Sequence, residues 1–210
     1  MAQAQILRSC IEPTAEQHPL TVQVQDHWTL PLDGAALKTD LDLWGAKPTA
    51  DFERELTRKL FTYNCVNALV CYLGALWGYE WLADAANDPA IARVAMAAGA
   101  ESSAALVAEY GFDPAGQRDF CERAMAKYRD AAIRDPIERN ARDPVRKLSR
   151  YDRLLVPTYL CRKHGLPCGQ LAVGVAAALR YPGARMAPDA ELDGLLAAGD
   201  AELDDMLRCR

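Results

Sequence analysis

Glycine is absent from the first 33 residues, and no Gly-x-Gly-x-x-Gly or P-loop run occurs anywhere in the 210. The turns that usually cradle a dinucleotide or a nucleotide phosphate are therefore missing from this stretch. Histidine is scarce, at positions 18, 27 and 164 only. None of the three has ligand-like spacing to the seven cysteines at 10, 65, 71, 121, 161, 168 and 209, and no two cysteines form a C-x-x-C pair. No metal site is expected, and the cysteines read as reduced thiols, mostly buried. Basic residues are outnumbered, 24 Lys and Arg against 29 Asp and Glu, for a net charge of −5. That balance disfavours a general nucleic-acid surface. No apolar run reaches the roughly 18 residues that span a bilayer, and Met-Ala-Gln-Ala-Gln lacks both the basic start and the apolar core of a secretory leader. The expectation is a cytoplasmic protein with no membrane partner.

What is present is ordinary for a globular chain: half the residues are hydrophobic and a quarter charged. The length suits one domain, or one domain with an appendage. Residues 1–48 stand apart. Ile6 to Ile11 reads as a short strand, and Leu20-Thr21-Val22-Gln23-Val24-Gln25 alternates as a half-buried strand does, with Asp26-His27-Trp28-Thr29-Leu30 continuing it towards Pro31. Residues 33–48 read as a connection with at most one short helix. From residue 49 to 210 the pattern is helical, so the expected fold class is mainly α, a helical bundle with a small β appendage. One long run from Thr49 to Tyr79 has Thr49 as N-cap and early acids. Further helices open at Asn87-Asp88-Pro89 and Phe112-Asp113-Pro114. Others cover Tyr151 to His164, Gly169 to Tyr181 and Pro188 to Leu207.

Chemistry concentrates first in Lys59-Leu60-Phe61-Thr62-Tyr63-Asn64-Cys65-Val66-Asn67. At about 100° per residue, Asn64 lies about 140° and Asn67 about 80° from Lys59, spread over about 12 Å of helix axis. An amine losing solvation among apolar neighbours favours its neutral form, which takes a proton from an alcohol, while amides hold the developing oxyanion. The plainer reading has Lys59 reaching water and the asparagines serving the helix. The second concentration is Arg134 to Arg153, with seven basic residues (134, 139, 142, 146, 147, 150, 153) against four acidic ones (135, 138, 143, 152). Broken by Asp143-Pro144, it either converges several cations on an anionic ligand or pairs with itself at the surface.

At these two places the sequence resembles the polyol-specific long-chain dehydrogenases, and among them the mannitol-1-phosphate type. The family pattern Lys-Leu-Phe-Thr-x-Asn-x-x-His, with a Tyr-Leu-Gly beyond, is met by Lys59 to Asn64 and Tyr72-Leu73-Gly74. The family's Arg-x-x-Arg-x-Pro-Leu-Arg-Lys-Leu-Ser run is met at Arg139, Arg142, Pro144, Arg146, Lys147, Leu148 and Ser149, followed by Asp152-Arg153-Leu154. The likeness runs from about residue 7 to about 181. It implies a helical substrate domain similar to the C-terminal domain of 6-phosphogluconate dehydrogenase. It implies Lys59 as general base, Asn64 as oxyanion holder, Asn67 where the family has histidine, and Arg139 and Lys147 as substrate contacts. Arg142 and Arg146 suit a phosphorylated polyol. It further implies NAD as cofactor, with residues 6–30 as the last strands of a cofactor domain that a separate chain would supply. The alternative is a non-catalytic remnant that binds a sugar phosphate or a protein partner.

Overall fold

Short segments become strands only where a distant segment pairs with them, and the N-terminal region shows this well. The computed structural model describes residues 2–7, 10, 11, 13, 15–25 and 29–209, with residues 11 and 23 by backbone alone. It divides into two units, Met1–Lys59 and Leu60–Arg210; the sequence had suggested a division at 48. In the first unit, β1 (Cys10–Ile11) pairs antiparallel with β2 (Gln23–Val24). The expected strand from Ile6 and the continuation through Asp26-His27-Trp28 include positions 8, 9 and 26–28, which lie outside the described residues. β3 (Leu30–Asp33) runs parallel to β4 (Ala46–Thr49), in register from Leu30–Ala46 to Asp33–Thr49. On the other edge of β3, Gln5 N donates to Pro31 O and Asp33 N donates to Gln3 O, both at 2.9 Å. Residues 33–48 thus hold a strand as well as the 3-10 turn Gly34–Ala36. Only pairing with β3 reveals it, because Ala46-Lys47-Pro48-Thr49 has little strand character of its own.

The first long helix is divided. α1 (Phe52–Phe61) starts when Asp51 Oδ1 accepts from Arg54 N at 3.1 Å, so Asp51 caps it and Thr49 stays in β4. α2 (Tyr63–Trp77) follows after Thr62. Within the second unit, buried Thr62 takes a 2.7 Å hydrogen bond on its hydroxyl from Gln117 Nε2. α2 ends at Gly78, whose φ of 78° suits glycine.

Asp-Pro starts set the next helices. α3 (Leu82–Asn87) leads to α4 (Pro89–Tyr110), where Asp88 Oδ1 accepts from Ala90 N and Ile91 N. α5 (Pro114–Tyr128) is capped in the same way by Asp113. Two short helices, α6 (Ile137–Ala141) and α7 (Pro144–Lys147), precede α8 (Leu155–Lys163), α9 (Gly169–Leu179) and α10 (Asp193–Arg208). α9 packs against α2, α4 and α10. Its Gly174 lets Leu69 of α2 come so near that an added Cβ would lie 2.6 Å from Leu69 Cγ. The result is mainly α with a small β part, as expected.

By length and composition alone, Phe52–Trp77 and α4 suffice to cross a membrane, which the sequence reading had not credited. Of their most apolar windows, 72% and 50% are buried inside the protein, as in core helices of bundles. Five of the seven cysteines are buried and none is bridged. No group of metal-binding side chains occurs among the described residues.

Candidate functional site

The site grows from the segment before α6. Leu82 N donates to Asp135 O and Ile137 N donates to Glu80 O, both at 2.9 Å, which fixes residues 135–137 against residues 80–82. α6 then lies against α2 at Gly74, where an added Cβ would stand 2.6 Å from Ala85 Cβ and 2.7 Å from Ile137 Cδ1. A helix this short leaves most of its carbonyls without backbone partners. Side chains take them. Cys71 Sγ donates to Ile137 O at 3.4 Å, Tyr72 Oη donates to Ala141 O at 3.2 Å, and Lys147 Nζ donates to Asn140 O. Lys147 reaches that carbonyl because Asp143 adopts a left-handed backbone (φ 62°). Pro144 follows and starts α7, which turns the chain back. That conformation is costly for a residue with a Cβ, and such cost collects at functional sites.

Lys147 is 4% exposed, and its ammonium stands 5.4 Å from the centre of the Tyr72 ring. Burial pushes its pKa down to about 8 from 10.5, the nearby Arg153 and Arg146 adding to the fall. Buried Asp135 accepts from Arg139 Nε at 2.9 Å and Nη2 at 2.7 Å, and from Asn140 Nδ2 at 2.7 Å. Asn140 Nδ2 also donates to Pro136 O at 3.0 Å, and Asn140 Oδ1 accepts from Asn67 Nδ2 at 3.2 Å. Asn67, Arg139 and Lys147 are thus joined through Asp135 and Asn140. Asn64 sits three residues before Asn67 on α2, half-buried.

Most of the other cations are turned towards acids. Arg146 meets Asp143 at 2.5 Å and Asp152 at 3.0 Å, Arg153 meets Asp152 at 2.7 Å, and Arg150 meets Asp189 at 3.2 Å. Arg142 is exposed. The basic segment is therefore largely paired internally, one of its two sequence readings, with Lys147 buried beneath it. Lys59 belongs to the first unit, where it is half-buried and its Nζ donates to Ile6 O at 2.6 Å.

The family profile described as mannitol dehydrogenase C-terminal domain matches residues 51–193. The chain belongs to that family. It is 35% identical over 166 residues to mannitol-1-phosphate 5-dehydrogenase of Exiguobacterium sibiricum, a match covering 79% of this chain and 44% of the relative. Among solved structures it resembles a D-sorbitol dehydrogenase crystallised in substrate-free form, with TM-score 0.69 and 16% identity over 93% of this chain and 45% of the other. It also resembles Pseudomonas fluorescens mannitol 2-dehydrogenase in a ternary complex with NAD and D-mannitol, with TM-score 0.63 and 17% identity over 98% and 46%. At those identities the structures speak for the fold alone. The chain spans less than half the length of the relatives it matches.

The nicotinamide cofactor that the resemblance implies finds no fitting cradle at the parallel strand pair β3–β4. The turn after β3, where a parallel pair would seat a pyrophosphate at a helix N-terminus, runs into the single 3-10 turn Gly34–Ala36. An acid, Asp33, takes the Ala36 N–H at 3.3 Å, and a Cβ on Gly34 would meet Thr49 O at 2.9 Å. This glycine serves sheet packing, not phosphate.

Sequence reasoning missed Asp135, Asn140 and Tyr72 as site members. Asp135-Pro136 just ahead of a short helix was a readable start signal for α6. The roles of Asn140 and Tyr72 rest on contacts 69 to 73 residues distant along the chain.

Proposed function

We propose that this chain is the substrate-binding and catalytic half of a polyol or polyol-phosphate dehydrogenase that oxidises a secondary alcohol to a ketone. The reading rests above all on one observation. Arg139 and Lys147, which match the family pattern, and Asn67, which stands where the family has histidine, lie in one hydrogen-bonded cluster although they are up to 80 positions apart. Lys147 spends one donor on Asn140 O and keeps others for substrate oxygens. Arg139 is held on Asp135 by two contacts, and a guanidinium there suits a polyol or its phosphate. Arg142, exposed in the same segment, suits a phosphate end, and Arg146 would join it only by leaving Asp143 and Asp152. In this reading Lys59, as a neutral amine, removes the alcohol proton, Asn64 donates to the oxygen that loses it, and Asn67 orients the substrate through a hydroxyl. The hydride acceptor would be supplied by an NAD-binding domain outside residues 1–210, since the turn after β3 does not fit one. The buried reduced thiols suit the cytoplasm.

Calorimetric titration of the purified chain with mannitol 1-phosphate tests the site without the cofactor. Measurable heat that disappears in Lys147→Met is expected. Equal binding by wild type and variant would remove Lys147 from the site. Turnover reconstituted with a cofactor-domain chain should vanish in Lys59→Ala, and an unchanged rate would rule out that lysine as base. The alternative, a non-catalytic sugar-phosphate-binding module, is favoured by the unfit turn at Gly34 and by asparagine at position 67. It predicts binding with no turnover in any such mixture.

A further inference from the structure

An ionised carboxylate has acceptors only, and this fixes the direction of every amide that hangs from Asp135. Arg139 grips that carboxylate with two contacts of 2.7 and 2.9 Å. Asn140 must then turn its NH2 towards Asp135 Oδ1, at 2.7 Å, and the same nitrogen serves Pro136 O at 3.0 Å. Both of its amide hydrogens are used, so its oxygen faces the other way, where Asn67 Nδ2 stands 3.2 Å off. Asn67 in turn must point its nitrogen inward. Amide orientations are ordinarily assigned from such networks, and this one ends on a group that admits a single answer. Asn67 is half-buried, and no donor to its Oδ1 occurs among the described residues.

We propose that Asp135, acting through Asn140, locks the Asn67 amide with its oxygen presented to ligand, making position 67 an obligate acceptor. Such a position takes the hydrogen of a polyol hydroxyl and rejects a carbonyl or phosphate oxygen, which brings no hydrogen. The ligand class rests on the function proposed above; the locked amide does not. Asn140 and Asp135 are positioning residues, because they act through Asn67. The arrangement also explains how asparagine occupies a place where the family pattern has histidine. An imidazole exchanges donor and acceptor roles by changing tautomer, whereas this amide is set by its neighbours.

The test is side-chain amide NMR on the full 15N-labelled chain. One Asn67 NH2 proton should exchange roughly five- to tenfold more slowly than those of the neighbouring half-buried Asn64, as a hydrogen bond of ordinary strength requires. In Asn140→Leu that protection should be lost while circular dichroism stays helical. In Asp135→Asn, whose amide can donate as well as accept, the direction of Asn140 is no longer forced and the protection should fall. Asn67 exchange as fast as Asn64 in the wild type, or unchanged by Asn140→Leu, would overturn the proposal. Titration with mannitol 1-phosphate should then shift the Asn67 resonances, and Asn140→Leu should weaken that binding several-fold. Protection without any polyol binding would leave the locked amide standing and remove the substrate reading. Binding equally strong in Asn140→Leu would show that the lock does not serve the ligand.

Discussion

The two units bury apolar surface very differently. Of the large hydrophobic residues exposed among those described, Ile6, Leu20, Val22, Val24, Leu41, Leu43, Trp44 and Leu56 lie in the 59-residue first unit. Only Tyr110, Val145 and Tyr151 lie in the 151-residue second unit. The second unit holds α2 and α9 with most of their side chains buried. The first holds strands two to four residues long, a 3-10 turn and most of α1, and β3 and β4 form a parallel pair, an arrangement that normally occurs inside larger sheets covered on both faces. The difference teaches that the helical unit has the means to hold its own site in shape, and that the β unit carries little stability of its own.

The largest expected effect separates the two directly. Leu69→Ala, in the contact between α2 and α9, should cost about 2–5 kcal/mol in denaturant unfolding, whereas Trp44→Ser should change stability by less than about 0.5 kcal/mol. Comparable losses would dissolve the contrast. Next, hydrogen exchange should leave the amides of α2 and α9 protected long after those of β1 to β4 have exchanged. Equal protection would mean the β unit is as firmly built as the bundle.

A pH effect follows from Lys147. Its folded pKa of about 8 lies below the ordinary 10.5, so the unfolded chain holds that proton more tightly. The cost of burying the charge is present in full below about pH 8. It is relieved as the pH rises towards 10.5, so this group makes the second unit more stable over that window. Affinity for a phosphorylated polyol should move the opposite way, falling as Lys147 discharges above about pH 8. In Lys147→Met both trends should flatten, as chemical denaturation and calorimetry at several pH values would show. The smallest expected effect is Asn67→His, which returns the family pattern. It should leave unfolding within about 1 kcal/mol of wild type and add an imidazole titration to the pH dependence of binding. A binding profile unchanged between pH 5.5 and 7.5 would count against position 67 touching ligand.

Much of the bundle was legible because local signals agree with it. Asp88-Pro89 and Asp113-Pro114 start helices, Gly78 and Gly111 end them, and the apolar run of α9 can only be core. The break at Thr62 was not legible, since the partner of that hydroxyl is Gln117, 55 residues further on. β4 was hidden for the same reason. At the site, Arg139 and Lys147 were readable from their resemblance to a known pattern, and Asn67 as a departure from it. The Asp135–Asn140 link that joins these three was not, because hydrogen-bond direction is set in space and leaves no periodic trace. The basic segment misled in part. Its density suggested convergence on a ligand, yet Arg146, Arg150 and Arg153 are engaged with Asp143, Asp152 and Asp189.

A crystal structure of the full chain soaked with mannitol 1-phosphate tests the central claim most directly. The account predicts polyol hydroxyls within hydrogen-bond distance of both Lys147 Nζ and Asn67 Oδ1, with the Asp135–Asn140 contact intact. Ligand bound elsewhere, with Lys147 and Asn67 untouched, would contradict it.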